Sequence, residues 1–281
     1  MRCNGQVVIS FSGSRRLAGR PLLLTLSCLY ISLVTMKRFH NIFILILILS
    51  LAGCAGSKIR KEKPADVIFN EGMALFERKR YEEAVVSFQD LNAKYPLSQY
   101  AIQAKLKIAD SYFYDENYPE AISAYREFEK LHPTNDNISY VIFQTGMSYF
   151  NQILTIDRDQ TATKNAAAEF KRLISRFPDS QYADNARKNL AICRNNMAEN
   201  EFYIGNFYYK KGKYKAAIER FKAVVNEYPD FRVMDKVLFH LGKSHIEVKE
   251  AEKGNAYLEK LLKDYPESKF VKEAKGILDI N

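Results

Sequence analysis

The 281-residue sequence has no tryptophan, four cysteines, four histidines, 12 glycines and 8 prolines. Each shortage removes a class of protein. Cys3, Cys28, Cys54 and Cys193 contain no C-x-x-C pair, so no zinc ribbon and no dithiol redox site is expected. His40, His132, His240 and His245 form no H-E-x-x-H motif, and His240 and His245, five apart, fall on different faces of a helix. There is no phosphate loop and no G-x-S-x-G. No enzyme and no metal site are expected. Few turn-formers beside 18 Tyr and 18 Phe favour helices with bulky packing over a loop-rich fold.

Acid is missing from the first 53 residues, which hold Arg2, Arg15, Arg16, Arg20, Lys37 and Arg38. The formal charge of +9 therefore falls to +3 beyond them, with 42 − 6 = 36 basic residues against 33 acidic. No nucleic-acid partner is expected. From Met36, "MKRFHNIFILILILSLAGC" reads as a charged start, an apolar run from Ile42 to Leu49, and small residues before a cut. The run is too short to span a bilayer, which takes about 20 residues. Residues 1–35 read as an over-extended start and residues 36–53 as the leader.

"LAGC", Leu51 to Cys54, resembles the bacterial lipobox. In that motif the thiol is diacylated, the chain is cut before the cysteine, and the new amine is acylated. The competing reading is an apolar segment that happens to contain a cysteine. The expected modification is an N-acyl diacylglycerol group on Cys54, with no other cofactor. Asp after the cysteine marks inner-membrane retention among such proteins; Ala55 stands here, so the resemblance points to the outer membrane, facing the periplasm. Residues 54–64 read as a tether. Lys58, Arg60, Lys61 and Lys63 in it suit either anionic lipid or plain solvation.

Beyond the tether, prolines 96, 133, 178, 229 and 266 each follow an aromatic or histidine and close a helical pattern. Counting back from Pro96 gives Gly72, Leu75, Ala84, Phe88 and Leu91. The same offsets recur before Pro133, Pro229 and Pro266, while the third unit carries an insertion between Tyr149 and Ala166. Small residues let paired helices cross closely, apolar residues at i, i+3 and i+4 form buried stripes, and the proline ends the second helix. The pattern resembles the tetratricopeptide repeat. It predicts an all-α solenoid of about five helix pairs, with an insertion in the third and an extra helix before the fourth. N-terminal repeats are drawn over 65–178 and C-terminal repeats over 179–281. Ala183, Ala186, Leu190, Cys193 and Met197 form the stripe of the extra helix, which makes Cys193 a buried small hydrophobe.

In such repeats the groove is lined by first helices. Phe69, Met73, Phe76, Phe113, Tyr114, Tyr140, Phe143 and Phe150 are thereby placed in an aromatic trough for extended or helical peptides, with Asp110 among them. About half of these side chains are expected to pack against neighbouring helices instead.

The stretches "KYPLSQYA", "LHPTNDNISYVIFQTGMSYF" and "DRDQ", and the block around "ENEFYIGNFYYKKGKYKAAIERF", resemble the BamD family. These are repeat-built lipoproteins of the outer-membrane β-barrel assembly machine. The likeness covers about residues 50–270. It implies a non-catalytic scaffold that receives unfolded outer-membrane proteins in its N-terminal repeats. Its C-terminal repeats would dock on the barrel subunit BamA, beside other lipoproteins of the machine. The family often has Pro where Asp136 stands, Arg where Thr145 stands, and Arg near Asn196; here Arg194 is nearest, so Arg194 and Glu201 are the partner-facing candidates. The rival readings are a periplasmic envelope-coordination protein and a pilus-assembly repeat lipoprotein. The first usually has a coiled coil and no lipobox, and the second would lack the insertion.

Overall fold

From Ala65 onward, each run with apolar residues three or four apart is a helix. The structure, a computed structural model, describes residues 62–279. The proposed start, the leader, Cys54 and most of the tether lie outside the described residues. The helices are α1 (Ala65–Glu77), α2 (Tyr81–Lys94), α3 (Ala101–Tyr114), α4 (Tyr118–Leu131), α5 (Ile138–Phe150), α6 (Thr161–Arg176), α7 (Ala183–Lys210), α8 (Tyr214–Glu227), α9 (Met234–Glu247), α10 (Ala251–Asp264) and α11 (Val271–Ile277). Among the described residues there is no strand, and each helix packs on the next. The fold is the all-α repeat architecture expected, with α1–α2, α3–α4, α5–α6, α7–α8 and α9–α10 as pairs. The extra helix and the first helix of the fourth pair are one continuous element, the 28-residue α7.

The turns inside the pairs share one design. Residues 78–80, 115–117, 211–213 and 248–250 each bridge two helices. Their central residues, Lys79, Glu116, Gly212 and Lys249, have φ of 59°, 58°, 67° and 64°. In the first, Lys79 N–H donates to Phe76 O and Arg80 N–H to Leu75 O, both at 2.9 Å, and the other three repeat this double bond. It is a Schellman cap, which satisfies the last carbonyls of the first helix while reversing the chain. Only Gly212 takes the left-handed conformation without a Cβ penalty. The third pair departs, because residues 151–160 form a longer connection with no left-handed residue.

At the other end of each pair the pre-proline residue stops the second helix. Tyr95, His132, Phe177, Tyr228 and Tyr265 sit at φ between −139° and −131° and ψ near 60°, outside the α region.

Within pairs, a glycine on the first helix lies against a ring on the second. A Cβ on Gly72 would fall 2.6 Å from Phe88, on Gly146 2.7 Å from Phe170, and on Gly205 2.6 Å from Phe221; all three rings are fully buried. The partner is sixteen positions on in two cases (88 − 72, 221 − 205) and twenty-four in the third (170 − 146), so the longer connection changes the spacing but not the contact. Alanine at Gly205 would gain up to about 1 kcal/mol in helix propensity. Forcing a locked ring aside costs about 1–3 kcal/mol or more. We expect Gly205→Ala to lower the free energy of unfolding by about 1–2 kcal/mol in urea titration. Gly276→Ala, with nothing within 4 Å of the new carbon, is expected to leave it unchanged or slightly raised.

Among the described residues three cores follow one another. Ile68, Phe69, Phe88 and Leu91 centre the first. The second runs from Leu106 to Cys193 and the third from Ala198 to Ala274. The last two therefore meet inside α7, beyond the sequence-drawn boundary at 178/179. Cys193 is fully buried, and burial pushes its thiol up to about 12, which removes it from thiolate chemistry.

Candidate peptide-binding groove

The first helices α1, α3 and α5 bring two aromatic groups and one polar knot together. In the first group Phe76 meets Tyr114 edge-on at 5.6 Å, and Phe113 meets Tyr114 at 5.5 Å. Tyr81 stacks on Tyr114 at 5.9 Å, and Tyr118 lies 5.8 Å from Phe113. Tyr114 is half exposed, so this group presents ring surface to solvent. In the second group Phe143 stacks on Tyr182 at 5.3 Å, and Tyr140 approaches the same ring at 5.6 Å.

Between the groups lies Asp110, which is 2 % exposed. Its Oδ1 accepts hydrogen bonds from the Tyr125 and Tyr140 hydroxyls, each at 2.8 Å. Its Oδ2 accepts from Lys107 Nζ at 3.0 Å, and that ammonium also lies 4.9 Å from the Phe76 ring centre. Gln144 Nε2 donates to the Tyr140 oxygen at 3.1 Å. A buried carboxylate is tolerated when a counter-charge and donors surround it, and here the second and third helix pairs supply them. Burial first, and the Asp110 charge second, push both phenols far above the ordinary tyrosine range. They stay neutral donors at physiological pH.

The knot borders a cleft of about 550 Å³ whose walls include Ile102, Leu106, Lys107, Asp110, Tyr140 and Tyr182. Apolar wall, ring faces and a few oriented polar atoms suit a peptide with aromatic side chains.

The sequence-selected residues divide in this geometry. Phe76, Phe113, Tyr114, Tyr140 and Phe143 lie in the two groups. Phe69 is buried, stacked on Tyr100 at 5.1 Å, and Met73 is half-buried against the same core. Phe150 lies 6.1 Å from Phe170 and is half-buried in the second core. Tyr81, Tyr118 and Tyr182 join the groups from second helices and a turn, which a first-helix template does not reach. A signal for Tyr182 exists: an aromatic stands four residues past three of the closing prolines, as Tyr100, Tyr182 and Phe270. Each stacks on a first-helix ring, Phe69, Phe143 and Phe239 respectively.

Arg194 and Glu201 both lie on α7 but hold partners of their own. Arg194 Nη2 donates to Glu227 O at 3.1 Å and to Asp230 Oδ1 at 2.9 Å, and that bond holds Asp230 below the usual carboxylate range. Glu201 accepts from Arg220 at 3.0 Å. Ile192, Tyr203 and Phe207 on the same helix are about half exposed and share a face by their spacing of 11 and 4. The longer connection is held by Gln160, whose amide donates to Thr155 O and Arg158 O, and by Asn200 of α7, which donates to Ile156 O at 2.5 Å. Thr145, where the resemblance led to arginine, is buried and bonds Val141 O at 2.8 Å.

No cluster of three His, Cys, Asp or Glu side chains able to hold a metal occurs among the described residues. His240 is packed among Phe202, Tyr209 and Phe221, and burial, aided by Lys236 and Lys243, lowers it to about 4. His245, 1 % exposed, has its Nδ1 2.7 Å from Glu250.

Compared with known proteins, residues 61–254 match the family YfiO, described as outer membrane lipoprotein. An outer membrane protein assembly factor BamD from Caulobacter vibrioides is 30% identical over 217 residues, 74% of this chain and 71% of its own. That of Rickettsia prowazekii is 30% identical over 229 residues, 81% and 91% of the two chains. That of Neisseria gonorrhoeae is 27% identical, covering 68% and 78%. Among solved structures, the TPR2AB domain of yeast Sti1 in its pHSP90 complex aligns with a TM-score of 0.39 at 15% identity, covering 72% and 78%. YrrB, a TPR protein, aligns at 0.34 and 17%, covering 76% and 92%.

Proposed function

The chain belongs to the YfiO family of outer membrane lipoproteins, and from that membership we propose that it serves outer-membrane protein assembly as a non-catalytic scaffold. Its N-terminal repeats take a segment of an unfolded outer-membrane protein in the groove bounded by Phe76, Phe113, Tyr114, Tyr140 and Phe143. Its C-terminal repeats dock on a barrel subunit of the BamA type, in company with other lipoproteins of the machine, through α7 and its neighbours. Arg194 and Glu201 are the named contacts. The acyl groups on Cys54 hold it to the outer membrane, facing the periplasm.

The observation that carries the groove reading is the knot at Asp110. It ties Tyr125 and Tyr140 of the second and third pairs beside one cleft, with Lys107 reaching over the Phe76 ring of the first and Tyr114 leaving ring surface open nearby. A strand with aromatic side chains would place one ring against the group at Phe113, another against the group at Phe143, and its backbone beside the polar atoms between them.

The test is a titration with a barrel-signal peptide. The double substitution Phe113→Ala with Phe143→Ala is expected to weaken binding by at least tenfold, since each buried aromatic contact contributes about 0.5–1.5 kcal/mol beyond its area. An unchanged affinity with intact helicity would defeat the groove assignment. Co-purification from membranes tests the docking partner: a large barrel protein is expected.

A further inference from the structure

The five closing prolines set up a comparison between equivalent surface positions. The residue after the proline is Leu97, Thr134, Asp179, Asp230 or Glu267, and all five are exposed. Four are polar, three of them acidic, as a solvated turn requires. The exception, Leu97, is 99 % exposed. A lone exposed leucine is ordinary on a protein surface. What singles out Leu97 is its place.

Its turn is tied to the point where the tether joins the repeats. The Tyr95 hydroxyl donates to the Lys63 carbonyl at 2.9 Å. Ser98 N–H donates to Tyr95 O at 3.0 Å, and Tyr100 N–H to Ser98 Oγ at 3.2 Å, so the loop carrying Leu97 is rigid up to α3. From Cys54 to Lys63 the chain reaches at most about 30 Å. An acylated Cys54 therefore keeps this turn, the one bonded to the end of the tether, within a short radius of the bilayer. An acid there would be repelled by anionic headgroups and would resist desolvation, whereas a leucine favours the acyl boundary.

We propose that Leu97 inserts into the membrane surface beside the lipid anchor, giving the first repeat a second contact with the same leaflet. This rests on the reading of Cys54 as the acylated residue. One anchor leaves the repeats free to swivel; a second point, fixed to the fold through Tyr95, sets the direction in which the groove faces.

The lack of tryptophan in the chain supplies the probe. Leu97→Trp keeps an apolar side chain at the site and makes it the sole tryptophan; Thr134→Trp is the equivalent in the second unit. The full-length protein is purified from membranes and reconstituted into phosphatidylethanolamine–phosphatidylglycerol vesicles, with or without brominated acyl chains, and the mass of its N-terminal peptide is read. The Leu97→Trp emission is expected to shift to the blue and to lose most of its intensity in brominated vesicles, while Thr134→Trp is unaffected. An acylated Cys54 with unquenched emission at 97, as when a protein partner covers the turn instead, overturns the insertion alone. An unacylated Cys54 overturns the anchor and the insertion with it.

Discussion

Cys54→Ala is expected to remove the protein from the outer-membrane fraction. Among the described residues no helix is long and apolar enough to cross a membrane. Attachment in the proposed reading then rests on acyl chains, each CH₂ contributing roughly 0.8 kcal/mol on burial. One chain binds only marginally, but several together exceed about 10 kcal/mol, an effectively permanent hold. An inserted leucine offers about 1.5–3 kcal/mol and cannot replace them. Fractionation of envelopes, with mass analysis of the wild-type N-terminus, checks this. Outer-membrane recovery equal to wild type, with no acyl mass on the native chain, would overturn the anchor.

Asp110→Ala is expected to cost about 3–5 kcal/mol of stability, the range for breaking a buried charged knot. The loss is more than one pair. The Tyr125 and Tyr140 hydroxyls both lose their acceptor, and each unsatisfied buried donor costs about 1–3 kcal/mol. Lys107, freed from its carboxylate, is left over Phe76 at the groove. Tyr140→Phe removes one donor and leaves Asp110 with Tyr125 and Lys107, so about 1 kcal/mol is expected. Urea unfolding of both variants gives the comparison. A loss for Asp110→Ala no greater than for Tyr140→Phe would mean that the carboxylate does not organise the junction of the second and third pairs. Peptide titration of Tyr140→Phe, which should remain folded, reports separately on the ring's orientation in the groove.

The repeat itself was legible because its physics is local. Glycine against a ring sixteen positions later, apolar stripes at helical spacing and a closing proline are all written within one unit. Even the third unit kept its glycine–phenylalanine pair once eight positions were added. The groove was less legible, because burial depends on which unit lies alongside. Phe69 and Phe76 are seven apart on one helix, yet the first is stacked beneath Tyr100 and the second meets Tyr114 from the next pair. Asp110 stood at a groove position in the sequence with no role to give it. Its meaning lies in Tyr125 and Tyr140, contributed by a second helix and by the following pair. The left-handed lysines and glutamate were hidden for a different reason. A glycine announces such a turn, but Lys79, Glu116 and Lys249 adopt it only because two backbone bonds hold them there.

The single helix α7 has a consequence for how force passes through the molecule. Its early turns, with Ala183, Ala186 and Cys193, belong to one core, and its later turns, with Ala198 and Phe202, to the next. At 1.5 Å per residue it is a spar of about 42 Å. In most stacked repeats neighbouring units meet at a turn, where they can flex against each other. Here the junction is one continuous helix, so a sharp hinge between the two cores means breaking its ladder of backbone hydrogen bonds. A load applied to the C-terminal repeats therefore reaches the N-terminal ones through a lever and not across a turn.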